Sequence, residues 1–291
     1  MSRALRNEHA IAAWRSAYAE ELRVVAGMIS PALIHAFERV PRERFVGAPP
    51  WHYAAGIDLR RSGYRTTNNV QDLYHDIVVA LKLEERLNTA QPSVMARLLE
   101  ALDLEPGGRV LHIGCGTGYY SAILAEAVGH TGSVTSVEVD PGLAQKAAEN
   151  LQDYPTITLL QQDGALLPQD SFDRILMNAS VTTLPPAWLR SLPVGGILVA
   201  PFLVGRQAES REALALRLVR KEENFAAEPV TTLAIFPCSS LRVPAMQEQL
   251  ADGIQSRQML GLKSLRMDAH TRTSSCIAHG EQMCLSEEPA R

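Results

Sequence analysis

The chain has 291 residues, a formal net charge of -4 at pH 7 and 46% hydrophobic residues. That composition excludes a disordered chain, because enough apolar area is available to offset the entropy of ordering. The acidic balance excludes a general nucleic-acid binder, which carries a strongly basic domain. The arginines near 39–44 and 60–65 form a candidate basic patch that reads as solvated surface. No apolar run approaches the ~20 residues needed to span a bilayer. Glu8, Glu20 and Glu21 interrupt the apolar residues near the N-terminus, so no signal-peptide core is expected. Cys115, Cys238, Cys276 and Cys284 are scattered and include no C-x-x-C pair. They imply no disulfide framework and no metal site, and point to a reducing, cytoplasmic setting.

Residues 5–40 read as helical, with Leu22, Val25, Ala26 and Ile29, then Leu33, Phe37 and Val40, at helical spacing. Pro31 fits the first turn of a second helix. Residues 51–90 read as irregular with short β-like runs such as 77–81. From Pro92 strands and helices alternate. A helix at 92–102 precedes a buried strand at 109–113, a glycine loop and a helix at 119–128. Strands follow at 133–139, 156–160, 172–177 and 197–200, separated by helices at 141–151 and 185–192. Two more strands, about 213–219 and 230–236, complete the sheet as an antiparallel pair. The expected fold is α/β: a Rossmann-like, doubly wound, mostly parallel seven-stranded sheet with helices on both faces and a helical N-terminal extension. The expected divisions are 1–85 as extension and possible substrate lid, 86–246 as the sheet domain, and 247–291 as a tail. Part of 247–265 reads as helix, and 268–291 as poorly ordered, with no role for Cys276 or Cys284.

The chemistry concentrates after the first strand of the sheet. Gly114-Cys115-Gly116-Thr117-Gly118-Tyr119 follows a strand and opens a helix. Glycines there let the backbone turn tightly and approach a ligand, and the helix offers free N–H groups. The glycines fall as G-x-G-x-G, one residue short of the dinucleotide fingerprint, and no Lys-Ser or Lys-Thr pair provides a P-loop. Glu138 ends the next strand, where an acid accepts hydrogen bonds from both ribose hydroxyls. Val139 follows it. Asp163 and Gly164, after the third strand, suit an adenine amino group and its ring, although Asp-Gly is also an ordinary turn.

This trio resembles the S-adenosylmethionine-dependent methyltransferases over roughly 86–240. A narrower resemblance, over 35–240, is to the protein-L-isoaspartate O-methyltransferase family. It is carried by Val40-Pro41-Arg42-Glu43-Arg44-Phe45-Val46, Tyr74-His75-Asp76, Asn88-Thr89-Ala90-Gln91-Pro92-Ser93-Val94-Met95-Ala96, Gln162-Asp163-Gly164 and Phe172-Asp173-Arg174-Ile175. The resemblance implies S-adenosyl-L-methionine as cofactor and methyl transfer to the free α-carboxylate of an isoaspartyl residue. The family's serine before Gln-Pro falls on Ala90 here. Asn88, Thr89 and Gln91 are therefore the acceptor-side catalytic candidates, with loop capping as the alternative for Asn88 and Thr89. Asn178 and Ser180 are candidate pocket donors. His75 either orients a substrate or forms a structural hydrogen-bond pair with Asp76, and His112 reads as core. The segment 47–73 is a lid, an acceptor pocket, or aromatic packing on the sheet. The expected acceptor is a protein, a peptide or a small molecule, with no nucleic acid and no membrane. A methyltransferase for another acceptor, a non-catalytic cofactor-binding module and an NAD-dependent oxidoreductase remain as alternatives.

Overall fold

The structure is a computed structural model that describes residues 3–55, 63–166 and 170–290. Two helices begin it, α1 (Arg3–Ala26) and α2 (Pro31–Arg39). Ser30 caps α2 by accepting from the Leu33 N–H, and Pro31 occupies the first turn, where its missing N–H costs nothing. Residues 51–90 are more regular than their sequence suggests. Strands β1 (Trp51–Ala55), β2 (Arg65–Thr67), β3 (Ile77–Lys82) and β4 (Leu87–Asn88) form an antiparallel sheet in the order β2-β1-β3-β4. Trp51, Leu73 and Val79 form its small core, so part of the 47–73 aromatic content is packing. Residues 56–62, with Arg60 and Arg61 of the expected basic patch, lie outside the described residues.

Helix α3 (Pro92–Glu100) leads into the alternating region. There the chain forms β5 (Arg109–Ile113), α4 (Tyr119–Val128), β6 (Ser133–Glu138), α5 (Pro141–Asn150), β7 (Ile157–Gln161), β8 (Arg174–Met177), α6 (Pro186–Ser191) and β9 (Ile197–Leu203). Strands β10 (Glu212–Arg220) and β11 (Phe225–Ala234) follow as the antiparallel pair. Strands β5 to β9 pair in parallel, in the order β9-β8-β5-β6-β7. Strands β8 and β9 are almost wholly apolar and buried along their length, as strands covered on both faces are, whereas β6 carries Ser133, Thr135, Ser136 and Glu138. The chain fills one side of β5 with β6 and β7, then crosses to place β8 on the other. The crevice at the carboxyl ends of β5 and β8 is thus a topological switch point, where open α/β sheets bind ligands.

The seven expected strands are all present, and the sheet continues beyond them. After α7 (Pro244–Gln255) come β12 (Ser264–Arg266), β13 (Cys276–His279) and β14 (Cys284–Ser286), which extend the sheet to ten strands in the order β13-β14-β12-β11 and onward. The expectation of a poorly ordered tail at 268–291 is corrected here. Leu265, Ile277 and Leu285 are buried against Met246 and Leu250 of α7. Strands of three or four residues are too short to show periodicity, and the exposed edge of β11 supplies the pairing partner that orders them.

Surface exposure of the 39–44 arginines is also corrected in part. Arg39 and Arg44 form exposed ion pairs with Glu126 and Asp153. Arg42 is only 1% exposed. Its guanidinium donates to the carbonyls of Leu73 (2.6 Å), His75 (3.0 Å) and Ile77 (2.6 Å), fixing the segment between the N-terminal helices and β3. No described helix is long and apolar enough to cross a membrane.

Candidate active site

A cavity of about 770 Å³ opens at the carboxyl ends of β5, β6, β7 and β8. Its floor is the loop after β5. Gly116 has φ +59° and Gly118, which caps α4, has φ +95°. Both lie in the left-handed region that side chains resist, and a Cβ on Gly118 would sit 2.9 Å from Leu151. The Gly114 and Cys115 N–H groups donate to the Val137 carbonyl at 2.8 and 3.0 Å, tying the loop to β6.

Glu138 closes the arrangement. Its Oε2 accepts from the Gly116 N–H (2.7 Å) and its Oε1 from the Asp140 N–H (3.0 Å). Each carboxylate oxygen keeps a further lone pair for a ligand hydroxyl. Burial raises the Glu138 carboxyl above its ordinary value, and the backbone donors only partly oppose it. The ionised form is needed to accept from two hydroxyls, so it is complete above that raised pKa and lost below it. Cofactor affinity should therefore decline with falling pH from above the ordinary glutamate value of 4.5. Calorimetric titrations across pH check this; an E138Q variant with the same pH profile would assign the effect elsewhere.

Gly114, Gly116, Glu138, Val139, Asp163, Gly164 and Asn178 line this one cavity, with Asn88 and Ala90 in the wall beside β4. Asp163 Oδ1 accepts from the Ala165 N–H (2.9 Å) and the Ser240 hydroxyl (3.0 Å), leaving Oδ2 for a ligand. Gly164 serves packing more directly than ring space, because a Cβ there would meet Ile113 at 2.5 Å. Asn178 donates to the Gly114 carbonyl (3.2 Å), while its buried Oδ1 has no partner.

Other candidates do not reach the cavity. Cys115 is buried beneath the loop, and burial pushes its thiol well up. Thr117 is buried, with its carbonyl held by Asn150, and Gly118 serves as the cap of α4. Tyr119 packs edge-on against Phe37, Phe45 and Tyr120 in the core under the N-terminal helices. The Thr89 hydroxyl is committed to the Val79 N–H (3.1 Å) and the Ala90 carbonyl (3.2 Å). Gln91 donates to Asp76 at 2.7 Å. Asp76 also accepts from the backbone and hydroxyl of Ser93, both at 2.7 Å, so it anchors the start of α3. It is not paired with His75, which points out beside Glu21 at 3.8 Å. His112 is core as expected. It bonds Ser121 at 2.8 Å, and burial lowers it to about 3. Ser180 is buried, bonded to the Phe236 carbonyl.

Sequence reasoning missed three contributors. The buried Nε2 of Gln162 has no partner and its side chain lines the cavity; its place beside Asp163 was the available signal. Arg86 and Arg211 also line it. They lie far apart in the chain and nothing in the sequence joins them. Ala90 adopts φ +58°, held by its N–H donating to Asn88 Oδ1 at 3.0 Å. Lys82 of β3 meets Asp140 at 2.5 Å, fastening the small sheet to the head of α5 beside the cavity.

A cavity with a paired carboxylate, an orphaned acceptor at Asn178 and an orphaned donor at Gln162 fits a ligand rich in hydroxyl, ammonium and carboxylate groups. With the switch-point sheet and the glycine loop, it defines an S-adenosylmethionine-dependent methyltransferase of Rossmann-like fold. The family model described as Protein-L-isoaspartate(D-aspartate) O-methyltransferase matches residues 15–237. The chain belongs to that family. A protein-L-isoaspartate O-methyltransferase 2 from Rhodopseudomonas palustris is 34% identical over 72% of this chain and 86% of its own length. One from Yersinia enterocolitica is 34% identical over 72% and 89%. Among solved structures, a protein-L-isoaspartate O-methyltransferase superposes with a TM-score of 0.64 at 20% identity, covering 92% of this chain and 87% of its own. A Plasmodium falciparum structure described as a beta-aspartate methyltransferase in complex with S-adenosyl-L-homocysteine gives 0.58 at 15% identity, covering 77% and 97%. These two support the fold.

Proposed function

We propose that this protein methylates the free α-carboxylate of an isoaspartyl residue in a protein or peptide. The observation that carries the reading is the pair of guanidiniums at the cavity wall. Arg86 and Arg211 line it, and neither side chain has an ion-pair or hydrogen-bond partner among the described residues. Burial, with the Arg86 charge adding to it, lowers the Arg211 guanidinium. The Arg211 guanidinium stacks on the Phe236 ring, 3.6 Å from its centroid; two like charges with no carboxylate bound to them among the described residues favour an anionic acceptor.

Glu138 would hold the ribose hydroxyls, Asp163 the adenine amino group and Asn178 Oδ1 the ammonium of the cofactor. The bound cofactor supplies an electrophilic methyl on a sulfonium. A carboxylate of pKa ~4 is already ionised at neutral pH, so no general base is required. In agreement, no histidine or lysine lines the cavity among the described residues. What the chain contributes is orientation and removal of water from the attacking oxygen. The arginines hold the acceptor, and the wall from Arg86 to Ala90, fixed by the Asn88 turn, shapes its seat. The four cysteines are free thiols, which suits a reducing cytoplasmic setting.

Ala90 favours a second reading, a different peptide or small acid as acceptor, because it lacks the hydroxyl that the family's serine offers. The test is steady-state kinetics with an isoaspartyl peptide. Arg211→Met should raise its KM about tenfold, the scale of one charge-assisted hydrogen bond, while cofactor Kd stays unchanged. An unchanged KM in the R86M/R211M double variant would overturn the role of the arginines in acceptor binding.

A further inference from the structure

The sheet edge farthest from the cavity carries four side chains that methyl transfer does not use. His270 lies in the connection between β12 and β13, Cys276 opens β13, His279 ends it, and Cys284 opens β14. One ligand atom from each, a ring nitrogen or a sulfur, lies within 4.8 Å of every other. Cys276 Sγ is 3.6 Å from His270 Nε2, and the two imidazole rings stand edge-on with centroids 4.8 Å apart. Both cysteines are buried and both histidines half-buried.

The backbone arranges this convergence. Residues three apart in a regular strand point to opposite faces. The pairing of β13 with β14 shifts register between Cys276 and Ala278, which absorbs one residue. Cys276 and His279 can therefore present donors on the same side, and Cys284 lies directly across from His279.

The surroundings have the form of a ligand-orienting shell. The Nδ1 of His270 is 2.9 Å from the Asp268 carbonyl, which directs Nε2 into the cluster. Such a bond from the second ring nitrogen is the usual support of a metal-bound histidine. The Thr273 N–H donates to Cys276 Sγ at 3.3 Å, a bond that favours thiolate. His279 Nδ1 is buried with no hydrogen-bond partner. Its backbone is clamped on both sides by Gln249 of α7, at 2.9 and 3.1 Å.

We propose that His270, Cys276, His279 and Cys284 bind one Zn²⁺ in a closed tetrahedral site that staples β12–β14 to the sheet edge. Tetrahedral zinc with two sulfur and two nitrogen ligands holds its donors roughly 3.3–3.8 Å apart. The four present here need to draw in by only about 1 Å. Two thiolates balance the dication, and two thiol protons leave to solvent on binding. Four protein donors leave no open position, so the role is structural. The expectation of no metal rested on the lack of a C-x-x-C pair and of any Cys or Asp/Glu cluster at ligand spacing. The chain supplies the same donor number as H-x5-C-x2-H-x4-C. This segment lies beyond residue 237, where the match to the family ends.

The test uses the full chain purified with reductant and without chelator. Elemental analysis should find about one zinc per chain. Replacement by Co²⁺ should give the visible d–d bands and the sulfur-to-metal charge transfer of a tetrahedral dithiolate. Chelator should lower the melting temperature and expose two additional thiols to a thiol reagent. C284S and H279A should each lose the metal. Because those variants can also fail to fold, the Co²⁺ spectrum of the unaltered chain decides the matter on its own. Absence of that spectrum, with all thiols titrating equally with and without chelator, would overturn the site. A Cys276–Cys284 disulfide in reduced-purified, metal-free protein would overturn it as well.

Discussion

Glu138→Ala should weaken S-adenosyl-L-methionine binding by roughly 1.5–3 kcal/mol, about ten- to a hundredfold in Kd. Two losses combine. The ligand hydroxyls lose an ionised acceptor, and the Gly116 and Asp140 N–H groups lose the carboxylate that now holds them at 2.7 and 3.0 Å. The second loss loosens the glycine loop itself, because Gly116 sits at φ +59° and relies on that bond for its position. Glu138→Gln separates the two effects. It keeps one acceptor oxygen and the shape of the side chain, so the loop can stay in place while the charge is lost. Isothermal titration of all three proteins should rank wild type above E138Q and E138Q above E138A. Equal affinity for wild type and E138A would remove Glu138 from the cofactor site.

Arg42→Met should cost about 3–5 kcal/mol of stability, the scale of breaking a buried, hydrogen-bonded charge. Methionine fills similar space but donates nothing. The Leu73 carbonyl would lose this donor in a buried setting and the Ile77 carbonyl in a part-buried one, while the His75 carbonyl keeps the Ile77 N–H at 2.8 Å; an unsatisfied buried group carries its own desolvation cost. The Arg42 guanidinium also sits 5.6 Å from the Tyr18 ring centroid, a contact that methionine replaces only in part. Lysine should not rescue the site, since one ammonium cannot reproduce a fork that spans three carbonyls. Denaturant unfolding measures the loss. A change under 1 kcal/mol would mean that water enters and satisfies the carbonyls. The damage should extend to the acceptor wall, because Arg42 also lies 3.4 Å from the Thr89 hydroxyl next to Ala90.

The alternating region was legible because each of its elements carries a local signal. Strands β5 and β8 are short apolar runs, α2, α3 and α5 open with proline in the first turn, and β5 leads into the glycine loop that opens α4. Glu138, Asp163 and Asn178 could be placed in one site because strand ends at a switch point converge by topology. Side-chain direction was not legible. Tyr119 and Thr89 stand in the right segments, yet Tyr119 turns into the core and the Thr89 hydroxyl bonds the backbone of Val79 and Ala90. Asp76 found Ser93 and Gln91 rather than its neighbour His75, a choice made by the packing of α3. Arg86 and Arg211 meet at the cavity only because β4 and β10 come to the same wall. The four donors at the β13–β14 edge depend on a register shift that no spacing rule encodes.

The measurement that bears most directly on the proposed activity is methyl transfer from labelled S-adenosyl-L-methionine. An isoaspartyl peptide is the acceptor, its normal aspartyl twin is the control, and base-labile label is the readout. Turnover is expected on the isoaspartyl peptide alone, with label released by mild base as an ester requires. Full cofactor binding with no transfer to either peptide would contradict the isoaspartyl acceptor and leave the carboxylate seat beside Ala90 to a different acid.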